Sequence, residues 1–350
     1  MQPSRGDVVL AGEPEVFKRG EGTALEAANG KLGPLTSFRV DFEEEFGERM
    51  LLKPPVSSMT EQFMRYGGLM ASKYTFPAPD PSVKTEDTVT DDGTKVRIYT
   101  PDGYTGGKPV CMYYHGGGWA MGDVNGDDPF SRAISKAGGI VVVSVEYGLA
   151  PDNKHPGLLN ECYKALVWAL GNSKRLNTAE GRYLTAGVSA GGQLAFATAL
   201  RGQDEKSGEL VGVVGIIPAT VHPDGVPEAL RAGYTSMEDH DQHTINTSGA
   251  MRDFWAAFGA PPTDIYGSPL LHPGIKTLKK VYLAVAGQDT LRDDGMLMKR
   301  MLDDAQVPVK LDYYDGYPHF FFAWPSPKLD EPRKQFYDNL AGGVKYVLSE

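Results

Sequence analysis

From about residue 83 onward the chain alternates short, β-rich apolar runs with segments whose apolar residues recur at helical spacing. That alternation constrains the fold more than any other feature. Parallel neighbouring strands need a crossover of about a dozen residues or more, and a helix supplies it. The runs KPVCMYY, GIVVVSVEY, GRYLTAG, LVGVVGII, KKVYLAVAG and VKLDYYD have the composition of strands buried on both faces. Ahead of them, VKTEDTVTDDGTKVRIYT turns at Asp92 and Gly93 and reads as an antiparallel hairpin. An α/β fold with a mostly parallel eight-stranded sheet is therefore expected. Helices are predicted at residues 127–136, 156–170, 190–201, 293–305 and 331–348.

Two segments fall outside the alternation, residues 1 to about 80 and about 219 to 265. The first ends in FPAPDPS, whose prolines favour an extended linker. It is expected to be an N-terminal helical cap segment, with Ser58 and Glu61 at capping-box spacing before EQFMRYGGLM. The second is expected to be a cap insertion within a catalytic domain spanning residues 81–350. Its Met251, Phe254, Trp255 and Phe258 lie at helical spacing. A stripe of this kind either packs on the core or lines an adaptable apolar pocket.

Composition excludes several classes. Apolar residues make up 41% and charged residues 23%, ordinary globular usage. A formal charge of -10 argues against a phosphate-backbone binder, so no nucleic-acid partner is expected. No apolar stretch reaches transmembrane length, and the first residues lack a signal-peptide core. A cytoplasmic protein without membrane insertion is expected. Cys111 and Cys162 show no metal or redox spacing and read as buried thiols.

The sharpest chemical signal is GRYLTAGVSAGGQLAFATAL, a strand, then GVSAG, then a helix. A serine on such a turn stands exposed at a strand end in strained backbone, with Gly187 and Gly191 giving room to neighbouring chain. The turn aims the Ala190 amide and the positive end of the helix at an anion forming near Ser189. Earlier, YYHGGGWAMGD follows another strand. Its glycines let backbone amides approach a ligand, which makes Gly117 and Gly118 the expected oxyanion donors beside Ala190. A phosphate-cradling loop competes for that reading, but GK[ST] and GxGxxG are both missing. His115 is expected to brace the loop.

The motifs HGGGW, VEYGLAPDNKHPG, GVSAGG, SPLL, GQDTLRDDG and YPH occur in the order found in the hormone-sensitive-lipase-like branch of the α/β-hydrolases. From about residue 83 to the C-terminus the chain resembles that branch, which includes carboxylesterases. The resemblance implies an α/β-hydrolase fold with a helical cap, Ser189 as nucleophile, Asp289 as the acid and His319 as the base. Chain order and the position of Asp289 at a strand's C-terminal end agree with it. Asp293 and Asp294 lie where a helix begins and are expected to cap it. His155, His222 and His272, beside prolines, are expected at the surface or in turns. His240 and His243 of EDHDQH are expected in a solvated lid loop and not at a metal. Pocket candidates are Trp119, Val188, Met64, Phe254 and Phe320.

Three positions depart from the branch: Val188 replaces Asp at the elbow, Gly148 replaces Arg in VxYRLAPE, and His319-Phe320-Phe321 replaces HGF. They point to an altered pocket and a specialised substrate. The expected activity is hydrolysis of a small carboxylic ester, with a short acyl group or a compact metabolite, through an acyl-enzyme and with no cofactor or metal. A homodimer is possible by analogy. Rival readings are a dehydratase, acyltransferase, amidase or lactonase on the same fold, or a ligand-binding receptor like the gibberellin receptors, which lack the catalytic histidine.

Overall fold

The expected hairpin opens the sheet. Strand β1 (Val83–Val89) pairs antiparallel with β2 (Lys95–Pro101), Val83 opposite Pro101 and Val89 opposite Lys95. Six further strands follow: β3 (Val110–Tyr114), β4 (Val142–Glu146), β5 (Arg182–Val188), β6 (Glu209–Ile216), β7 (Val281–Ala286) and β8 (Val309–Tyr314). Their order across the sheet is β1-β2-β4-β3-β5-β6-β7-β8. Among the described strands β2 alone runs against the direction of the rest, so its pairings with β1 and β4 are antiparallel, and the pairings from β4 through β8 are all parallel. This computed structural model describes residues 78–241, 246–323 and 327–349. The expected N-terminal cap segment, with Ser58, Glu61 and Met64, lies outside the described residues, and so does His243.

Both faces of the sheet are buried, as continuous apolar runs require. In β3, Val110, Met112 and Tyr114 belong to one core while Cys111 and Tyr113 belong to the other. The same alternation of a pleated strand recurs in β7, with Val281 and Leu283 on one face and Tyr282 and Ala284 on the other. Cys111 and Cys162 are free and buried.

Helices α1 (Asp128–Gly138), α2 (Gly157–Gly171), α3 (Ala190–Asp204), α4 (Ser248–Phe258), α5 (Arg292–Asp304) and α6 (Asp330–Leu348) complete the layers. Phe130 and Ile134 of α1 and Phe336, Leu340 and Val344 of α6 cover one face. Residues of α2, α3 and α5 cover the other, where Phe254 and Phe258 of α4 join them. Local rules set the limits of α1: Pro129 sits in its first turn, where a missing N–H is harmless, and Gly139 ends it at φ 57. Among the described residues no helix is long and apolar enough to cross a membrane.

Candidate active site

The chain reverses its direction of travel across the sheet at β3. From β3 it moves one way to β4, then returns past β3 to β5. A crevice opens at the carboxyl ends of such a pair, and this is where open α/β sheets bind ligands. Register brings two motifs to it. Tyr114, the last residue of β3, lies opposite Gly187 near the end of β5, so the glycine loop and the GVSAG turn leave the sheet side by side.

Ser189 stands between β5 and α3 at φ 56 and ψ −120, a region that non-glycine residues rarely occupy. The surroundings enforce it. Ser189 N–H donates to the carbonyl of Ile216 at 2.8 Å. A Cβ on Gly187 would fall 2.1 Å from the Gly191 carbonyl oxygen, and one on Gly191 would fall 2.0 Å from that of Tyr114. Only hydrogen fits at these two positions, because real carbons do not approach so closely.

Two further loops complete the site from β7 and β8. Gly287 N–H donates to Tyr314 O at 2.8 Å and Gln288 N–H to Tyr317 O at 3.0 Å, which extends the parallel pairing beyond the sheet. Asp289 and His319 are thereby brought together, both at 2% exposure. The imidazole Nδ1 lies 2.6 Å from Asp289 Oδ2, and Nε2 lies 3.0 Å from Ser189 Oγ. A carboxylate only accepts, so Nδ1–H donates to it and Nε2 is left to accept the serine hydroxyl. Leu291 N–H donates to Asp289 Oδ1 at 3.0 Å and fixes the carboxylate's rotation.

Across from the serine, the loop after β3 carries Gly117 at φ 116 and Gly118 at φ 59. Among the described residues no acceptor takes the amides of Gly117, Gly118 or Ala190. His115 braces this loop as expected: its Nδ1–H donates to Gly116 O at 2.8 Å, and its ring stacks on Tyr147 at 4.1 Å. Tyr147 in turn donates its hydroxyl to His115 O at 2.8 Å.

The family described as alpha/beta hydrolase fold matches residues 111–323. The chain belongs to that family. It falls in the hormone-sensitive-lipase-like branch. A versiconal hemiacetal acetate esterase of Aspergillus parasiticus is 44% identical over 313 residues, covering 87% of this chain and 96% of that protein. A second versiconal hemiacetal acetate esterase, from Emericella nidulans, is 43% identical over 283 residues, covering 80% of this chain and 96% of its own. A solved arylesterase superposes with a TM-score of 0.69 at 25% identity, covering 91% of this chain and 99% of that one.

Other expected positions in this hydrolase divide. Phe254 lies against Gly118, Val188 is buried beneath Gly116, and Phe320 approaches the same glycine from beyond His319. Trp119 is fully buried. At φ 62 its side chain turns inward, stacked on Phe258 at 4.4 Å and tilted against Trp255 at 4.6 Å. Its indole N–H donates to Gln193 Oε1 at 2.9 Å, and Gln193 Nε2 donates to Tyr266 O at 2.6 Å.

The acidic pair after Asp289 also departs from expectation. Asp293 and Asp294 occupy the first turn of α5, yet neither caps it. Asp293 Oδ2 accepts the amides of Thr235 and Ser236 at 2.6 and 2.7 Å. Asp294 Oδ1 accepts those of Thr220 and Val221 at 2.7 and 3.1 Å, and its Oδ2 accepts the Tyr234 hydroxyl at 3.0 Å. Both carboxylates tie the insertion to the helix that follows Asp289. Full burial pushes the Asp294 carboxyl up to about 8, outweighing these donors, which act to lower it.

The remaining histidines are more buried than their proline neighbours suggest. His155 Nε2 pairs with Asp264 at 3.0 Å and His272 Nε2 with Asp204 at 3.1 Å, both side chains within the protein. Burial lowers the pKa of His155, against the pull of Asp264. His240 is not in a solvated loop: at 8% exposure its Nε2 accepts from Arg292 Nη1 at 2.7 Å. His222 keeps its turn role, its Nδ1 accepting Asp224 N–H at 3.1 Å.

Three residues with positions in the site had no role read from sequence: Asp127, Gln193 and Tyr147. Tyr147 lies in the quoted VEYGLAP run, which is the one signal that could have found it.

Proposed function

We propose that Ser189, His319 and Asp289 form a nucleophile, base and acid that cleave a small carboxylic ester. What carries this reading is the unbroken run of hydrogen bonds from Asp289 through His319 to Ser189 at the sheet's switch point. This chain is a carboxylic-ester hydrolase. His319 Nε2 takes the serine proton as Oγ attacks the ester carbonyl, while the Asp289 carboxylate holds the tautomer and stabilises the imidazolium. The tetrahedral oxyanion is met by the amides of Gly117, Gly118 and Ala190. Collapse expels the alcohol, which takes the proton from His319. Water, activated by the same imidazole, then releases the acid and restores Ser189.

The acyl group of the proposed substrate is short, acetate in the first instance. Two relatives more than 40% identical bear the name of an acetate esterase. The insertion at about 219 to 265 and residues 1 to about 80 are assigned the role of a cap over the crevice, and Phe254 is assigned the role of its wall beside Gly118. A receptor-like reading is disfavoured because the histidine such receptors lack is present here, bonded on both sides.

The test is p-nitrophenyl acetate turnover together with a serine-directed phosphonate. We expect one adduct per chain, mapped to Ser189, and none in Ser189→Ala, whose turnover drops by several orders of magnitude. An adduct on another serine, or retained turnover in the alanine variant, overturns the assignment.

A further inference from the structure

The loop that carries the proposed oxyanion donors closes on itself through the amides of Ala120 and Met121, which donate to Gly117 O at 3.2 and 3.1 Å, and Ala150 N–H donates to Trp119 O at 2.9 Å, but none of these bonds reaches the donor amides or the peptide before them. Between Gly117 and Gly122 four residues have positive φ: Gly117, Gly118, Trp119 and Gly122. Trp119 pays a steric penalty there, and each glycine gives up more chain entropy than other residues do when fixed. Something buried must hold such a loop in place for its amides to stay aimed. His115 and Tyr147 secure its entrance and Gln193 secures Trp119 at its far side, while the amide of Gly116, next to the first donor, has a partner of its own.

That partner is Asp127. It sits at the N-cap of α1, where Asp is among the most favoured residues because its carboxylate takes an amide of the first turn. Here the carboxylate makes no such bond. It reaches the other way, and Oδ2 accepts Gly116 N–H at 2.9 Å and the Tyr113 hydroxyl at 2.9 Å. The residue is buried, at 6% exposure. A buried carboxylate that forgoes the cap available to it breaks a local rule, and such exceptions concentrate at functional sites.

We propose that Asp127 is a positioning residue for the oxyanion hole, holding the peptide of Gly116 so that the Gly117 and Gly118 amides converge on the anion formed at Ser189. This rests on the serine-hydrolase reading above. Asp127 touches no reacting atom; it acts through the Gly116 peptide. Tyr113 shares the same oxygen and steers the carboxylate, so losing its hydroxyl leaves the Gly116 bond in place.

The experiment compares Asp127→Leu, Asp127→Asn and Tyr113→Phe in the full chain. Active sites are titrated with the phosphonate, so that kcat for p-nitrophenyl acetate is expressed per labelled serine. Removing one oxyanion donor costs about 100- to 1000-fold in kcat. Loosening the loop is expected to take about 10- to 100-fold on that scale, with KM changed little, in Asp127→Leu. Asp127→Asn keeps an oxygen for Gly116 and should stay within about fivefold, and Tyr113→Phe likewise. If Asp127→Leu yields no folded protein, Asp127→Ser withdraws the reach to Gly116 and carries the same expectation. A purely structural role would lower the labelled fraction and leave kcat per labelled site unchanged, and that result overturns the proposal. So does an Asp127→Asn loss equal to that of Asp127→Leu. Wild-type protein that takes no label at Ser189 would instead overturn the hydrolase reading itself, before any variant is compared.

Discussion

Phe254 of α4 packs so closely on Gly118 that a Cβ added to the glycine would fall 2.1 Å from the ring's Cδ1. The insertion therefore rests directly on a proposed oxyanion donor. A ring in that place should limit the acyl group, whose carbonyl oxygen points at the same loop. In Phe254→Ala the ratio of kcat/KM for p-nitrophenyl hexanoate over acetate is expected to rise by about tenfold or more, since each added methylene that finds apolar contact contributes about 0.8 kcal/mol. An unchanged chain-length profile in a folded variant would remove Phe254 from the acyl wall. Gly118→Ala should lose activity through the same clash, and Phe254→Ala should restore part of it.

Asp294 gives a pH prediction. Its folded pKa of about 8 lies above the ordinary 3.8, so the native state holds the proton more tightly than the unfolded chain does. Its contribution to stability is complete below about pH 4 and is lost as pH rises toward 8, on the order of 1 kcal/mol per pH unit across that window. Asp294→Asn keeps an oxygen for Thr220 and Val221 and has no proton to lose. Urea midpoints at pH 5, 7 and 8.5 should move in favour of the variant as pH rises. A constant difference between the two proteins would show that Asp294 does not titrate in this range.

Gln193 joins the glycine loop to the segment after α4, accepting from Trp119 and donating to Tyr266. It is fully buried. Gln193→Leu strands the indole N–H and a backbone carbonyl, each an unsatisfied group that costs about 1–3 kcal/mol. A loss of about 2–6 kcal/mol for the two groups together is expected in denaturant unfolding, whereas Gln193→Glu retains the acceptor for Trp119 and tests the two bonds separately. Equal stability of Gln193→Leu and wild type would show that water or a shift of Trp119 satisfies both groups.

The centre of the sheet was legible because its strands announce themselves locally: VCMYY and VYLAVA are apolar at every position, and only strands covered on both faces need that. The helices showed in their apolar spacing, though α1, expected at 127–136, runs from Asp128 to Gly138. Ser189 follows β5 directly, Asp289 lies three residues past β7 and His319 five past β8, so the motif order of the resemblance and these strand ends could mark all three as candidates. What escaped depends on chain passing nearby from elsewhere. Asp293 and Asp294 read as capping residues because their own helix offers amides, but the segments at 220–221 and 235–236 offer closer ones. His155 and His272 lie within the protein and pair with Asp264 and Asp204, distant in sequence. Asp127 was hidden by a pattern it satisfies without using, an acid at a helix start two residues before a proline.

The last prediction separates the three aspartates that follow β7. Asp289 alone reaches His319, at 2.6 Å, while Asp293 and Asp294 hold the insertion. Asp289→Asn leaves the shape intact but presents an amide N–H to the imidazole Nδ1. The histidine is then driven to carry its proton on Nε2, where it can no longer accept from Ser189. In a serine protease the corresponding change costs about ten-thousand-fold in kcat, and a loss of that order is expected here. Asp293→Asn and Asp294→Asn keep Nδ1–H on a carboxylate, so kcat on p-nitrophenyl acetate should stay within about tenfold, a span of ~1.4 kcal/mol in barrier. Their damage should fall on KM for bulkier esters and on stability, because what they tether is the insertion beside Gly118. Three equal losses in kcat would mean that the acid is shared or misassigned. A phosphonate that labels Asp289→Asn as fast as wild type would show that His319 does not depend on Asp289 to activate Ser189.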